Sequence, residues 1–486
     1  MLLKFLSLCA DPVYLIDVNC FKPPENLKVT HQAVLEAWSR LKVYSGDDIE
    51  FQRRVLEKSG LAKVGTYLPE AINPCHCGAE PRTGLDSAME ECKMTCVGAL
   101  QGLLLKTGLQ PTDIDILVTT CSIYCPTPSM ASMLVNHFKM RTDIQSYHLG
   151  GMGCANGVVA INLIRDLLQA HPNANAVFVT TEVTTPAYYK GKDRHRQVPN
   201  LLFRMGASAV LLSNNAVSWG SRVKYRLRHH ERVHAGQSEE SYKAIHYSPD
   251  AEGINGIYLG KNVVTEASRG LTKAMWAVGP KVLSLKEKVK VVMSMTSGLL
   301  KKRVHSFDAT GSSVQHQPYI PTFSKSVDHF LIHAGGAKVL DGLGKALRLS
   351  DWDLEPSRAV LHDYGNVSSS TTWYTMGYIE SLRGVQKGDM VMQIGVGSGI
   401  KVGVNVWQAM RDINDVHLTW QHRVPPEQCL KRADGTLRRQ EQFVDVSSLT
   451  RIHDFGRMMS WVLLICITLV FYMSSILGVL FVDVTA

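Results

Sequence analysis

QSYHLGGMGCANGVVAINLIRDLLQA (145–170) decides the fold. QSYHLG (145–150) reads as a short strand, the glycines turn the chain, and GCANGVVAINLIRDLLQA (153–170) has helical spacing. Cys154 therefore sits where a helix begins. That position bares a thiol to the helix dipole and to unbonded backbone N–H groups. It predicts a thiolate of lowered pKa and a cradle for an oxyanion on an acyl group carried by sulfur. An ordinary buried Cys in a glycine-rich turn is the alternative.

Residues 1 to about 112 read as short segments mixed with polar turns, and from there the same alternation extends on both sides. IDILVTT (114–120), AVFVTTE (176–182) and SAVLLSN (208–214) read as strands, and SMASMLVNHF (129–138) as a helix. The order then repeats. DHFLIH (328–333), RAVLHDYG (358–365), DMVMQIGVG (389–397) and KVGVNVWQAM (401–410) read as strands, while GAKVLDGLGKAL (336–347) and SSSTTWYTMGYIESL (368–382) read as helices. Two β-α-β-α-β-β halves predict a duplicated α/β fold with helices on the sheet faces. The expected divisions are 1–215 for the half with the nucleophile, 216–326 for an insertion or cap, 327–410 for the second half, 411–457 for a polar basic tether and 458–482 for an anchor. Within the insertion, SRVKYRLRHHERVH (221–234) is basic and irregular. SLKEKVKVVMSMTSGLLKKRV (284–304) reads either as a capping surface helix or as a segment at a membrane surface or tunnel mouth.

The chain has 486 residues, 45% hydrophobic and 20% charged, which excludes collagen-like, disordered and coiled-coil classes. A net charge of +9 suits anionic small molecules or an anionic membrane face and is too scattered for nucleic acid. Eleven cysteines, an odd number in a long chain, predict reduced thiols facing the cytosol. Cys75, His76, Cys77, Cys92 and Cys96 match no zinc spacing, so no metal is expected. GVGSGIK (395–401) lacks the full spacing of a phosphate-binding loop.

Met458–Val482 carries no charge and exceeds the roughly 20 residues a membrane helix needs. Arg423, Lys431, Arg432, Arg438, Arg439, Arg451 and Arg457 precede it, and no Lys or Arg follows. This predicts a C-terminal transmembrane helix with the body in the cytosol, in the endoplasmic reticulum membrane, and contact with membrane lipid. MLLKFLSLCA (1–10) is too short to span and lacks a cleavage site for a signal peptide.

Two further positions complete a constellation. IHAGG (332–336) ends a strand at His333, and DYGNVSSS (363–370) places Asn366 at a turn before a helix, the position in the second half that Cys154 holds in the first. A pseudo-twofold packing of the halves brings the three together. A thiol, a neutral imidazole and an amide suit acyl transfer to sulfur, followed by decarboxylation of a malonyl thioester whose enolate attacks the acyl-enzyme.

VYLIDVNCFKPPENLKVT (13–30), GTYLPEAI (65–72), CSIYCPTPSMASMLVNHFKMR (121–141), LGGMGCANG (149–157), LFRMGASAVLLSN (202–214), YIPTFSKSVDHFLIHAGG (319–336), DWDLEPSRAVLHDYGNVSSSTTWY (351–374) and GDMVMQIGVGSGIKVGVNVW (388–407) resemble the plant-type 3-ketoacyl-CoA synthases, the thiolase-superfamily condensing enzymes of very-long-chain fatty acid elongation. The resemblance covers roughly residues 12–410. It implies a thiolase-like fold, acyl-CoA and malonyl-CoA as substrates, no cofactor beyond these thioesters, a homodimer, and a ketoreductase, a dehydratase and an enoyl reductase as neighbours. Cys154 then matches the acylated nucleophile, and His333 and Asn366 match the decarboxylation pair. His234, His329 and His362 match further motif histidines, with orientation or packing of the site as their other reading. Gly397, Ser398 and Gly399 match a glycine loop beside the active site, or form a tight turn.

The chain departs from the family in two ways. The family usually carries two membrane spans before the segment matching VYLIDV, whereas the apolar span here is C-terminal. It also more often has Ser and Ala where this chain has Ala155 and Asn156. A membrane-tethered polyketide synthase-like condensing enzyme shares the Cys, His and Asn set and is the first rival reading. An inactive acyl-CoA-binding elongase scaffold is the second. A degradative thiolase needs a second Cys, which the second half lacks before Cys429.

Overall fold

The computed structural model describes residues 11–41, 43–77, 80–305, 319–431 and 437–439. The expected anchor at 458–482 lies outside them, as does the tether after 439; the described part of the tether is not a free linker, since Ile413 and Trp420 are buried in the core.

Nine strands build the main sheet: β1 (Tyr14–Cys20), β2 (Ile116–Thr120), β3 (Gln145–Leu149), β4 (Asn175–Thr181), β5 (Ala207–Ser213), β6 (Tyr225–His234), then, after a hairpin of β7 (Ile245–Pro249) and β8 (Asn255–Leu259), β9 (His329–Ile332), β10 (Met390–Gly397) and β11 (Lys401–Ala409). Their spatial order is β9-β10-β11-β6-β1-β5-β4-β2-β3. From β2 to β9 the order is palindromic. The outer pairs β2–β4 and β9–β10 are parallel, and every pair between them is antiparallel. This is a duplicated α/β architecture. Within the sheet, the halves join where Tyr14 and Leu15 pair with Arg226 and Tyr225.

The helices used below are α1 (Gly46–Glu57), α2 (Leu85–Thr107), α3 (Asn156–Ala170), α4 (Arg194–Leu202), α5 (Val263–Val282), α6 (Leu285–His305), α7 (Ala337–Leu347), α8 (Asp351–Tyr364) and α9 (Thr371–Tyr378). Helix α3 packs against β2 and β4 of one half and β10 and β11 of the other. A central core follows, with Ile161, Ile164 and Leu168 of α3 and Trp373 and Tyr374 of α9 buried among strands of both halves. Outside it, α2 covers the first half through Cys96, Leu100 and Leu103, and α5, α7 and α8 cover the second through Leu271, Leu340 and Leu361. These strands read as continuous apolar runs because both of their faces are covered.

Three sequence expectations are corrected. RAVLHDYG is not a strand but the end of α8, so the second half runs β-α-α-α-β-β and has one strand fewer than the first. Ser350 starts α8 with a capping box: its hydroxyl accepts from Asp353 N–H, and the Asp353 carboxylate accepts from Ser350 N–H at 2.8 Å. Leu354, Ser357, Leu361 and Tyr364 are then buried at helical spacing. Second, the basic stretch 221–234 is not irregular. It supplies β6, which sits between β1 and β11 rather than in an insertion, and its half-exposed residues hide the alternation. Third, residues before 112 hold β1 and the long helix α2, both part of the core rather than short segments.

Candidate active site

Cys154 lies in a single 3-10 turn, Gly153–Ala155, that runs directly into α3. Three contacts fix this turn. Gly153 adopts φ +58 and its N–H donates to Ser122 Oγ at 2.7 Å. Gly157 faces the backbone of Ser369 so closely that an added Cβ would stand 1.8 Å from the carbonyl oxygen. Gly397, at the end of β10, similarly touches Met152 O and Ala155 N. The Gly157 and Gly397 contacts press one half on the other at the nucleophile.

His333 follows β9 and Asn366 follows α8, and both are buried. The Asn366 amide is held from both sides, with Oδ1 accepting from Ser368 N–H at 2.9 Å and Nδ2 donating to Gly335 O at 3.2 Å. Its backbone is clamped as well: Asn366 N–H donates to Leu202 O, and Arg204 N–H donates to Asn366 O, each at 3.0 Å. The amide therefore keeps one N–H aimed by its neighbours. Burial lowers His333 to about 4, with a hydrogen bond to the Ser368 backbone opposing the shift, so the ring is neutral at pH 7. Its Nδ1 has no partner.

Ser368 links these groups. Its φ of +51 is strained for a residue with a side chain. Its hydroxyl lies 3.4 Å from Cys154 Sγ and 3.0 Å from Glu182 Oε2. Glu182, just past β4, is buried and accepts from the N–H groups of Ser122 and Ile123, both at 2.9 Å, and from the Cys121 thiol. Burial raises its carboxyl above the ordinary range despite these donors. The Cys154 thiol is pushed up to about 12, first by burial, with the Ser368 hydroxyl pulling down and the Glu182 charge pushing up. This runs against the low-pKa thiolate expected at the helix terminus: burial favours the neutral thiol.

One cavity of about 1070 Å³ is lined by Cys154, His333, Asn366, Ser368 and Glu182 at one end. Phe51 of α1, Val198 of α4, Ile245 and Ile257 of the hairpin, and Val264 and Ala267 of α5 give it a long apolar wall. Exposed Lys58, Lys261 and Lys338 also line it and mark its open rim.

The other sequence candidates divide. His234 lines the cavity from the end of β6, where its Nδ1 accepts from Gly236 N–H at 3.1 Å. Ser398 and Gly399 line it, and Gly397 supports the turn beneath it. His329 and His362 are not in it. His329 starts β9, about 13 Å of strand away from His333, and contacts Asp389 at 3.1 Å. His362 is exposed on α8, where it binds Asp363 beside His422 and Arg423. Both are therefore structural. Glu182 and Ser368 escaped the sequence reading; the usable signal was a carboxylate ending the apolar run AVFVTTE. Among the described residues, no group of His, Cys, Asp and Glu is placed to hold a metal.

A thiol at a helix mouth, faced by a neutral imidazole and a fixed amide across a seam between duplicated halves, defines a Cys-His-Asn condensing acyltransferase. Comparisons with known proteins narrow this class. The family described as FAE1/Type III polyketide synthase-like protein matches residues 6–303, and the chalcone and stilbene synthases, C-terminal domain, match residues 324–410. 3-Ketoacyl-CoA synthase 5 of Arabidopsis thaliana is 40% identical over 402 residues, covering 82% of this chain and 78% of its own. 3-Ketoacyl-CoA synthase 9 of the same plant is 40% identical over 411 residues, covering 84% and 77%. Among solved structures, 1,3,6,8-tetrahydroxynaphthalene synthase of Streptomyces coelicolor A3(2) superposes with a TM-score of 0.61 at 20% identity, covering 82% of this chain and 99% of that one. A type III pentaketide synthase of Neurospora crassa gives 0.63 at 17%, with the same coverage. These two establish the thiolase-like fold only. The chain belongs to the 3-ketoacyl-CoA synthases, the acyl-CoA condensing enzymes of fatty acid elongation.

Proposed function

We propose that the protein condenses a long-chain acyl-CoA with malonyl-CoA at Cys154 and that the apolar wall holds the growing chain. The observation that carries this reading is the single cavity joining Cys154, His333 and Asn366 to that wall. His333 takes the Cys154 proton as sulfur attacks the acyl thioester, then delivers it to the departing CoA sulfur. The second substrate brings its thioester oxygen to His333 and Asn366. Loss of CO₂ puts the electron pair into an enolate held by their N–H groups. The enolate carbon attacks the acyl-enzyme, sulfur leaves as a thiolate that takes a proton from solvent, and a 3-ketoacyl-CoA two carbons longer is released. Lys58, Lys261 and Lys338 at the rim suit the phosphates of CoA.

The product's ketone must be reduced, dehydrated and reduced again to give a saturated chain. This chemistry supports the ketoreductase, dehydratase and enoyl reductase as neighbours. The homodimer rests on the family resemblance. Attachment to the endoplasmic reticulum membrane rests on the uncharged run Met458–Val482 and the basic residues before it. Among the described residues, no helix is long and apolar enough to cross a membrane.

The test incubates detergent-purified protein with malonyl-CoA and a ladder of acyl-CoA primers, followed by mass spectrometry. Acylated Cys154 together with a ketoacyl-CoA extended by two carbons is the expected result. A product released with no label on Cys154 overturns the acyl-enzyme route. Labelling by no primer removes the enzyme reading of this site and leaves a scaffold.

A further inference from the structure

Helix α6 is built inside out. A surface helix normally turns its apolar face to the core. In α6 the buried face is polar. The Glu287 side chain is fully buried and accepts from Tyr319 Oη at 2.6 Å, Thr322 N–H at 3.1 Å and Lys290 Nζ at 3.0 Å. Ser294 Oγ accepts from Tyr319 N–H at 2.8 Å. The opposite face carries Leu285, Val289, Val292 and Met293, exposed at 39, 40, 49 and 64%. At about 100° per residue, these four span one outward stripe, with Lys286 and Lys288 on either side of it.

We infer that this stripe lies in the interfacial layer of an anionic bilayer. An apolar ridge between cations is the pattern of a helix resting in the headgroup region, with apolar side chains reaching about 5–10 Å inward and lysines meeting lipid phosphates. A second copy fits less well, because a twofold seam along this ridge sets Lys286 and Lys288 against the same cations of the other copy. The inference rests on the membrane-bound reading above and adds to it: the catalytic body itself is seated on the bilayer.

The experiment places a photo-crosslinking benzophenone amino acid at position 293 of the full chain, and at exposed position 252 between β7 and β8 as a control. The chain is reconstituted in phosphatidylcholine vesicles with and without phosphatidylserine. Lipid adducts at 293 but not at 252, increased by phosphatidylserine, are expected. Reversing Lys286 and Lys288 to Glu should cut the adduct about tenfold in anionic vesicles. Alkaline carbonate extraction of the same sample reports separately on the C-terminal span. Retention with no lipid adduct at 293 overturns the docking face and leaves the anchor standing. A lipid adduct in a chain that carbonate releases supports the face without the anchor. Crosslinking at 293 to another copy of the chain, or equal lipid adducts at 293 and 252, overturns the inference.

Discussion

The Ser368 hydroxyl stands 3.4 Å from the Cys154 sulfur and has one proton to give. When the proton turns toward Glu182, the sulfur faces only a lone pair. When it turns toward sulfur, it supports the thiolate. Because burial holds the free thiol near 12, iodoacetamide should alkylate Cys154 slowly at neutral pH, with a rate that climbs past pH 9. Ser368→Ala should shift that profile further up and slow acylation roughly five- to tenfold, the worth of one hydrogen bond. Alkylation followed against pH checks this, and a plateau by pH 7 would contradict it.

Asn366→Asp preserves the shape of the amide and its acceptor for Ser368 N–H, but removes the N–H aimed into the cavity. Malonyl-CoA decarboxylation should fall by about 10²–10³-fold, while acylation of Cys154 stays within a few-fold. Measured separately by mass spectrometry, equal loss in both half-reactions would place Asn366 in the fold rather than in the second step.

His333 is neutral down to about 4. Brief decarboxylation assays should therefore show a flat rate from pH 7 to pH 5, with no step near the ordinary histidine value of 6.5.

Stability has a different pH dependence. The buried Lys224 ammonium meets Asp17, Glu380 and Asp415 at 2.8, 2.6 and 2.9 Å, and His417 binds Glu380 at 2.8 Å. Against the cost of burial, these carboxyls are held below their ordinary values, Asp17 by the Lys106 charge and then Lys224, and Glu380 and Asp415 by Lys224 first, while Lys224 is raised by them. Depressed carboxyl values give stability that is present above the unfolded values and lost as pH falls through the folded ones. A raised lysine gives stability that is lost on the alkaline side, above its unfolded 10.5. Burial lowers His417 and His333, so the unfolded chain binds protons first, and stability should already decline below 6.5. Calorimetry should show Tm falling in two stages toward acid. Lys224→Met should cost about 3–5 kcal/mol, because three buried carboxylates lose their shared cation while Asp17 keeps Lys106 and Asp415 keeps Arg411 as charged partners.

Gly157→Ala puts a methyl group into the Ser369 backbone. Nothing there is a flexible side-chain tip, so the loop bearing Ser368 must move. A loss of about 2–3 kcal/mol in unfolding free energy is expected, together with loss of acylation. Denaturant melts and Cys154 labelling test both.

Much of the site was legible because its three central groups sit at chain turns, where glycine marks a change of direction: GGMGCANG for Cys154, HAGG for His333 and DYGN for Asn366. What failed depends on contacts between distant segments. RAVLHDYG carries too short an apolar run to separate strand from helix, and its deciding signal lay upstream at Ser350 and Asp353. β6 was hidden because its outer residues are basic and half exposed. Glu182 looked like the end of a strand until Ser122, Ile123 and Ser368 were folded around it. The lowered thiol value expected at Cys154 failed for the same reason: a helix terminus is visible in sequence, and the burial that opposes it is not.

The clamp between Leu202, Arg204 and the Asn366 backbone bears on redesign of product length. Helix α4 contributes wall to the cavity, and its last residue holds the backbone of Asn366, whose side-chain amide carries the proposed decarboxylation. Reshaping the tunnel from α4 therefore trades selectivity against turnover. The hairpin residues Ile245 and Ile257 line the same wall, and among the described residues no backbone hydrogen bond ties the hairpin to Asn366, so engineering begun there can alter chain length with less effect on the chemistry.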